Sequence, residues 1–424
     1  MKHNLFKSEF VRNASVLSFG SLVAQLVPFL AYPLIGRLYS PTQTAILASF
    51  TSVVSIIQVV STGKYEGAIL LAKNNIEAAN VAILSALICG CVCLGVGIPL
   101  LFFPGYFNTL LKTNVGNLIM LIPLSVFSIS VFEIYNEWCV RRKTYKKLAA
   151  NKISNAVTVN GGKVGFAYTP LSGAGLVLGD VFGRLATCLI CITRAWLSDK
   201  FFFKQVSIKG IKQIIKTYSS FPKYIVPSQL LNTLGASLPI LILNTFYESE
   251  DVGLFSMALA IMYVPISIIA RSFRDVFRRK VRDAQEASSR IIPAMSQIFK
   301  KTTLLSIAVA CVGVYFLPVI FSFFLGDRWT MSGVFAQIMT PFIVANFIST
   351  CIDGILIIAG KFKHIFIWQM LFCICAILPL FIGGYSGLSF TTTIWLYTAF
   401  RMIPELALIL LSFYFAKRMD LKEI

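Results

Sequence analysis

Charge is scarce in this 424-residue chain: 13% of its residues are Asp, Glu, Lys or Arg, against 57% that are hydrophobic. That is about half the charged share of a soluble domain. So few ionised groups cannot clothe a soluble protein of this length, which excludes an ordinary cytoplasmic enzyme. The composition equally excludes a disordered chain, a collagen and a disulfide scaffold. Acids are scarcer than bases, 18 against 38, so the formal net charge is +20. Such an excess suits nucleic acid, but its placement along the chain points to a membrane, and no nucleic acid is expected as a partner. Histidine occurs only as His3 and His364, too few to build a metal site. Nearly all ten cysteines fall in apolar runs, where the Cys188/Cys191 spacing reads as small packing residues. No small-residue cleavage site follows a short apolar core near the start, so the first apolar run reads as a retained helix.

Long apolar runs fill the chain instead. The expected spans are Asn13 to Gly36, Thr42 to Gly63, Ala78 to Phe103 (closed by Pro104-Gly105), Thr113 to Cys139, Leu148 to Tyr168 and Gly173 to Thr193. Tyr224 to Phe246, Val252 to Ala270, Thr302 to Gly326, Trp329 to Ile358, Ile365 to Gly383 and Leu388 to Ala416 follow. A bilayer crossing takes about 20 apolar residues as a helix, and barrel strands are about half as long, so the chain is expected to be an all-α integral membrane protein of about 12 transmembrane helices. The fifth span is the weakest, because it carries two lysines. Basic residues give the sidedness. With the N-terminus inside, thirty of the 38 Lys and Arg fall on the inner side. Only Arg37, Lys112 and Arg328 fall outside, and Lys152, Lys163, Arg184, Lys223 and Arg401 lie within or at the edges of spans. This asymmetry places both termini in the cytoplasm.

The chain reads as two halves: residues 1–200, a basic cytoplasmic connector over 201–217, and residues 218–424. Leu38-Tyr39-Ser40 with Thr44-Ala45-Ile46-Leu47 parallels Phe246-Tyr247-Glu248 with Val252-Gly253-Leu254-Phe255 at an offset of 208 residues. The same offset aligns Lys64 with Arg271. Six spans per half give repeats of one orientation, related by an axis along the membrane normal, with a working cavity between them. Phe221-Pro222-Lys223-Tyr224, Pro227-Ser228-Gln229-Leu230-Leu231-Asn232, Leu238-Pro239, Gly36-Arg37-Leu38-Tyr39-Ser40-Pro41, Thr62-Gly63-Lys64-Tyr65-Glu66 and Glu77-Ala78-Ala79-Asn80 together resemble the Wzx-type O-antigen and polysaccharide flippases of the multidrug/oligosaccharidyl-lipid/polysaccharide exporter superfamily. The resemblance covers essentially the whole chain; Ala45 departs from it, standing where the family often has Gly. It implies two six-helix bundles forming a V around a central cavity, in the bacterial inner membrane. It further implies a polyprenyl-diphosphate-linked oligosaccharide, an O-antigen or capsule repeat unit, moved from the inner to the outer leaflet. A polysaccharide polymerase and a chain-length regulator are the partners such a role implies.

Each ionisable group within a span needs an explanation, since burying one at the bilayer centre costs about 2.5–3.5 kcal/mol on insertion scales. Lys152 and Lys163 are eleven residues apart and share a helix face with Asn155, facing either a cavity or, for Lys152, the cytoplasmic edge. Asp180 and Arg184, and likewise Arg401 and Glu405, are four apart, spaced for intrahelical ion pairs or for cavity groups. Glu133, Glu137 and Arg141 form a stripe at the inner end of the fourth span. Solvated interfacial side chains, or a carboxylate binding H+ or Na+ for coupling, both fit that stripe. Asp353 has no partner nearby in sequence, so a coupling acid or a bundle ion pair fits it. Lys223, beside Pro222 at the start of the seventh span, marks an interrupted helix, and Lys64 with Arg271 occupies matching inner ends. The cations Lys64, Lys152, Lys163, Arg184, Lys223, Arg271 and Arg401 are therefore candidates for an anionic substrate; Glu133, Glu137, Asp180, Asp353 and Glu405 are candidates for ion coupling. The basic loop Arg278-Arg279-Lys280-Val281-Arg282 is expected on the anionic inner leaflet.

No catalytic constellation, metal cluster or phosphate cradle is legible, and no cofactor is expected beyond a coupling ion. A drug antiporter of the same superfamily is the alternative function, although the mixed charges in the spans lean against cationic drugs. A membrane polysaccharide polymerase or ligase is a weaker alternative, because every expected outer loop is short.

Overall fold

The computed structural model describes residues 2–103, 105, 116–286 and 290–421. Pro104, Lys112, Thr113 to Val115 at the head of the expected fourth span, and Lys422 lie outside the described residues. The described chain is all-helical. It divides into two compact units, Met1–Thr233 and Leu234–Ile424.

The first unit holds α1 (Lys2–Leu38), α2 (Pro41–Ser61), α3 (Asn75–Phe102), α4 (Ile122–Arg141), α5 (Tyr145–Ala167), α6 (Gly175–Phe203) and the short α7 (Ile208–Thr217). α6 packs on α5 and α4, α1 on α5, and α3 on α4. The entry to α2 is a capping box: Ser40 Oγ accepts from the Gln43 N–H at 3.3 Å and Gln43 Oε1 accepts from the Ser40 N–H at 2.8 Å, with Pro41 at the first helical position. The Tyr39-Ser40-Pro41 motif is thus first a helix-start signal. The second unit comprises the rest of α8 (Val226–Phe246), then α9 (Ser249–Glu286), α10 (Ile291–Leu325), α11 (Thr330–Ile352), α12 (Gly354–Ile358), α13 (Phe362–Tyr385) and α14 (Phe390–Asp420). α11 is its core element and contacts α9, α10 and α14.

Ten of the described helices are long and apolar enough to cross a membrane, and α10 makes eleven when its two segments, Ile291–Ala308 and Gly313–Leu325, bent by 56°, count as one span. The helix expected as the fifth span is present as α5, 23 residues long, but lysines and asparagines keep it below that threshold of apolarity. Pro318 in α10 has no N–H and leaves the Val314 carbonyl without its usual donor; Gln337 Nε2 of α11 donates to it at 2.8 Å. Gly333 lets α11 approach the Pro318 backbone, where any Cβ would overlap it.

The repeat has a structural counterpart in each unit. Tyr39 OH donates to the Lys163 carbonyl at 2.6 Å and packs on Gly175, pinning the α5–α6 hairpin. Tyr247, 208 residues on, donates to the Leu388 carbonyl at 3.1 Å and lies 2.6 Å from Thr393 Oγ1, pinning the α13–α14 hairpin.

Two basic segments read as loops are helical. Residues 201–217 comprise the last turn of α6, a short link and α7. α7 is docked on α3 in the first unit: Asn80 Oδ1 accepts from the Ser207 N–H at 3.0 Å, and Tyr218 OH donates to Glu77 Oε1 at 3.1 Å. Burial and then the Glu77 carboxylate raise the Tyr218 hydroxyl above its ordinary pKa, which keeps it a donor. The division between units falls inside α8. The second segment, after Ala270, continues α9 to Glu286 because Phe273, Phe277, Val281 and Ala284 carry an apolar stripe at helical spacing; Phe277 and Val281 are fully buried against Met295, Ile298 and Phe415. Asp420 of α14 closes this end, accepting the Ile291 and Ile292 N–H groups at 2.6 and 3.0 Å and so capping α10.

Candidate substrate and coupling sites

In the first unit, α5 and α6 cross at glycines. A Cβ on Gly179 would overlap the Lys163 backbone nitrogen, and one on Gly183 the Val159 Cα. These two are a Gly-xxx-Gly pair, the spacing that lets membrane helices approach closely. That approach sets Lys163 Nζ 2.9 Å from Asp180 Oδ1. Arg184, one turn along, binds the same carboxylate through Nε at 2.5 Å and Nη2 at 3.3 Å. Asp180 is 2% exposed, while the Lys163 and Arg184 side chains keep 14% and 26%. One sequestered carboxylate therefore holds two cations that still reach outward, leaving a net positive charge within the spans.

In the same unit, α2 ends in a left-handed turn, with Gly63 at φ 60° and Lys64 at φ 59°. A non-glycine residue in that region is strained by about 1–2 kcal/mol. The turn aims Lys64 Nζ at Glu66, 3.4 Å away, and at Glu133, 3.8 Å away. Thr62 Oγ1 donates to Glu66 at 2.6 Å, and Gln58 Nε2 donates to Glu133 at 2.8 Å. Ser61 Oγ donates to Gln58 Oε1 at 2.8 Å and lies 2.9 Å from Ser130 Oγ. Two carboxylates thus share one ammonium, and the charge of Arg184 also reaches Glu133, so this acidic network adjoins the cationic triad. Glu137 lies one turn beyond Glu133, within the field of Lys152. Lys152 Nζ donates to Ser21 Oγ of α1 at 3.0 Å, so the two lysines of α5, on one face by spacing, serve different neighbours. Arg141 leaves the acidic stripe to bind the Ile69 carbonyl at 3.0 Å. Lys223 is exposed in a single π turn, Phe221–Ile225.

In the second unit the equal spacing of Arg401 and Glu405 has a different outcome from that of Asp180 and Arg184. Arg401 lies between two rings, its Cζ 3.9 Å from the Phe372 centroid and 4.8 Å from that of Phe342. It is 3% exposed; its Nε and Nη1 have no hydrogen-bond partner among the described residues, while the guanidinium bonds to Tyr263 and Tyr397. Glu405, fully buried, instead accepts from Asn346 Nδ2 at 3.0 Å and Ser349 Oγ at 2.5 Å of α11. The tertiary partners account for the contrast: the rings of Phe342 and Phe372 take the guanidinium, and Asn346 and Ser349 take the carboxylate. Asp353, where α11 breaks, pairs with Arg274 Nη1 at 3.2 Å across 79 residues of sequence. Arg271 is exposed and forms no ion pair among the described residues; the paired base on this stretch of α9 is Arg274.

Sequence spacing did not single out Glu66, Gln58, Arg274, Asn346 or Ser349. Glu66 carried a signal, two residues after Lys64 in Thr-Gly-Lys-Tyr-Glu; the others are polar residues whose partners lie on different helices.

The helix set is that of a multi-span membrane protein, and its fold is similar to that of solved structures from the MOP transporter superfamily. The fold is similar to that of an inward-closed lipid II flippase, MurJ, at a TM-score of 0.73 and 12% identity over 96% of this chain and 90% of that one. It is similar to an inward-facing multidrug resistance MATE family transporter at a TM-score of 0.68 and 14% identity, over 94% of this chain and 98% of that one. It is also similar to a MOP superfamily transporter from Pyrococcus furiosus, described as having a binding pocket of reverse polarity, at a TM-score of 0.64 and 13% identity over 96% of each chain. No curated protein matches the sequence. A family model described as polysaccharide biosynthesis protein matches residues 34–333, and the chain belongs to that family.

Proposed function

We propose that this protein is a flippase that carries a polyprenyl-diphosphate-linked oligosaccharide, an O-antigen or capsule repeat unit, from the inner to the outer leaflet of a bacterial cytoplasmic membrane by alternating access, with both termini in the cytoplasm. The observation that carries this reading is the Lys163–Asp180–Arg184 triad, two cations on one carboxylate within the spans. A diphosphate competes with Asp180 for those cations, while the polyprenyl tail stays in lipid. Arg401, with unpartnered N–H donors, is a second reserve of positive charge. The carboxylates Glu66 and Glu133 around Lys64, with Glu137 one turn beyond Glu133, support a coupling H+ or Na+, since they outnumber that ammonium. No other cofactor enters the scheme. A polymerase and a chain-length regulator would consume the delivered product. The similarity to polysaccharide biosynthesis proteins and to a lipid II flippase supports the substrate class.

Drug antiport is the second reading, favoured by that same acidic network and by the MATE-like fold. Leaflet-resolved analysis of lipid-linked sugars in a deletion strain separates the two. A flippase defect leaves complete repeat units facing the cytoplasm, and Lys163→Met fails to restore export. Repeat units that still reach the outer leaflet in the deletion strain overturn the flippase reading.

A further inference from the structure

We propose that α7 is an interfacial helix whose free face binds the anionic phospholipids of the inner leaflet. Its apolar arc divides into two parts. Ile214 and, just past its end, Tyr218 are buried in the core cluster that includes Ala78, Ala82 and Trp138. Ile208 and Ile215 lie on the other side of the arc, 76% and 44% exposed among the described residues. At 100° per residue, Lys212, Lys216 and Lys209 follow immediately beside that exposed strip, and all three are exposed. From Lys200 to Lys223 the chain has six lysines and no acid. Neither Lys209, Lys212 nor Lys216 forms an ion pair among the described residues. The helix has ten residues, sits between two spans, and leaves α6 just after the exposed Trp196 and Phe201, an aromatic edge of the kind that marks a membrane interface. An apolar strip flanked by lysines is the pattern that rests at the headgroup boundary, with isoleucines toward the acyl chains and ammonium groups among phosphates.

Charge selects the occupant. Each lysine near an anionic surface favours binding about fivefold, so three favour it on the order of 100-fold at low salt. A zwitterionic bilayer offers only the two isoleucines. Because Gly210 seats on Asn80 and Tyr218 bonds to Glu77, a lipid-held α7 also steadies the start of α3.

The test uses the full chain in nanodiscs of pure phosphatidylcholine or of phosphatidylcholine with phosphatidylglycerol, followed by amide hydrogen exchange over residues 208–217. Exchange is expected to slow about tenfold with phosphatidylglycerol, and the effect is expected to vanish in 0.5 M salt and in a Lys209→Gln/Lys212→Gln/Lys216→Gln variant. Equal exchange of the wild-type protein in the two lipids overturns the proposal, as does a lipid effect that survives the triple substitution. Fast exchange in both, with protection only on adding an acidic peptide, overturns it in favour of a soluble partner. The variant's fold is checked by unchanged exchange in α11.

Discussion

Replacing Asp180 by Asn leaves two cations within the spans without the carboxylate they share, whereas replacing Lys163 by Met leaves Asp180 still held by Arg184. These perturbations are unequal although both break the same 2.9 Å contact. Removing one partner of a buried charge pair costs about 3–5 kcal/mol, because the charge left behind is desolvated and unpaired. Lys163→Met removes one charge-assisted hydrogen bond and also relieves the burial of an ammonium, so its cost is at most about 1–2 kcal/mol. The bidentate contact from Arg184, at 2.5 and 3.3 Å, keeps the carboxylate satisfied in that variant. Unfolding titrations in mixed micelles, read by tryptophan fluorescence, measure both. The double variant Lys163→Met/Asp180→Asn carries one surplus cation rather than two and should unfold between the single variants. A Lys163→Met protein as unstable as Asp180→Asn would falsify the reasoning, and so would an Asp180→Asn cost below about 1 kcal/mol. Lys163→Glu is a poorer probe of transport, since it sets a second carboxylate against Asp180.

Three further outcomes are expected. Lys143, exposed at φ 57° in the turn between α4 and α5, should gain about 0.5–1 kcal/mol of stability on substitution by Gly, seen as a higher unfolding midpoint with activity unchanged. Arg401→Met keeps much of the volume between Phe342 and Phe372 but removes a buried charge that interacts with Tyr263, Tyr397 and Glu405. Glu405 then stays buried without that positive charge, so stability should fall by about 3–5 kcal/mol and glycan export with it; an unchanged unfolding midpoint would show that Asn346 and Ser349 alone satisfy Glu405. Asp420→Ala frees the Ile291 and Ile292 N–H groups and should cost about 0.5–2 kcal/mol, with hydrogen exchange at the start of α10 accelerating first.

Much of the fold was legible in the chain because its causes are local. An apolar run of about 20 residues must be helical in lipid, since no other structure satisfies its backbone within one segment. The runs of α2, α3, α13 and α14 could therefore be placed to within a few residues. The 208-residue repeat was visible because Tyr39 and Tyr247 each hold a helical hairpin in their own unit. Where charge masked an apolar stripe, local reading failed: the helical arm of α9 beyond Ala270 and the docked α7 both looked like basic loops.

Which charges meet was decided only by tertiary structure. Lys163 and Asp180 lie seventeen positions apart and touch because Gly179 and Gly183 let two backbones close on each other. Asp353 found Arg274 on another helix, and Lys64 reaches Glu66 and Glu133 through a left-handed turn that no spacing announces. Two pairs with the same four-residue spacing diverged, one joined as an ion pair and the other drawn apart by Phe342, Phe372, Asn346 and Ser349. Hydrophobicity is a property each segment carries alone, whereas the partner of a buried charge depends on how closely neighbouring helices approach and which side chains they bring.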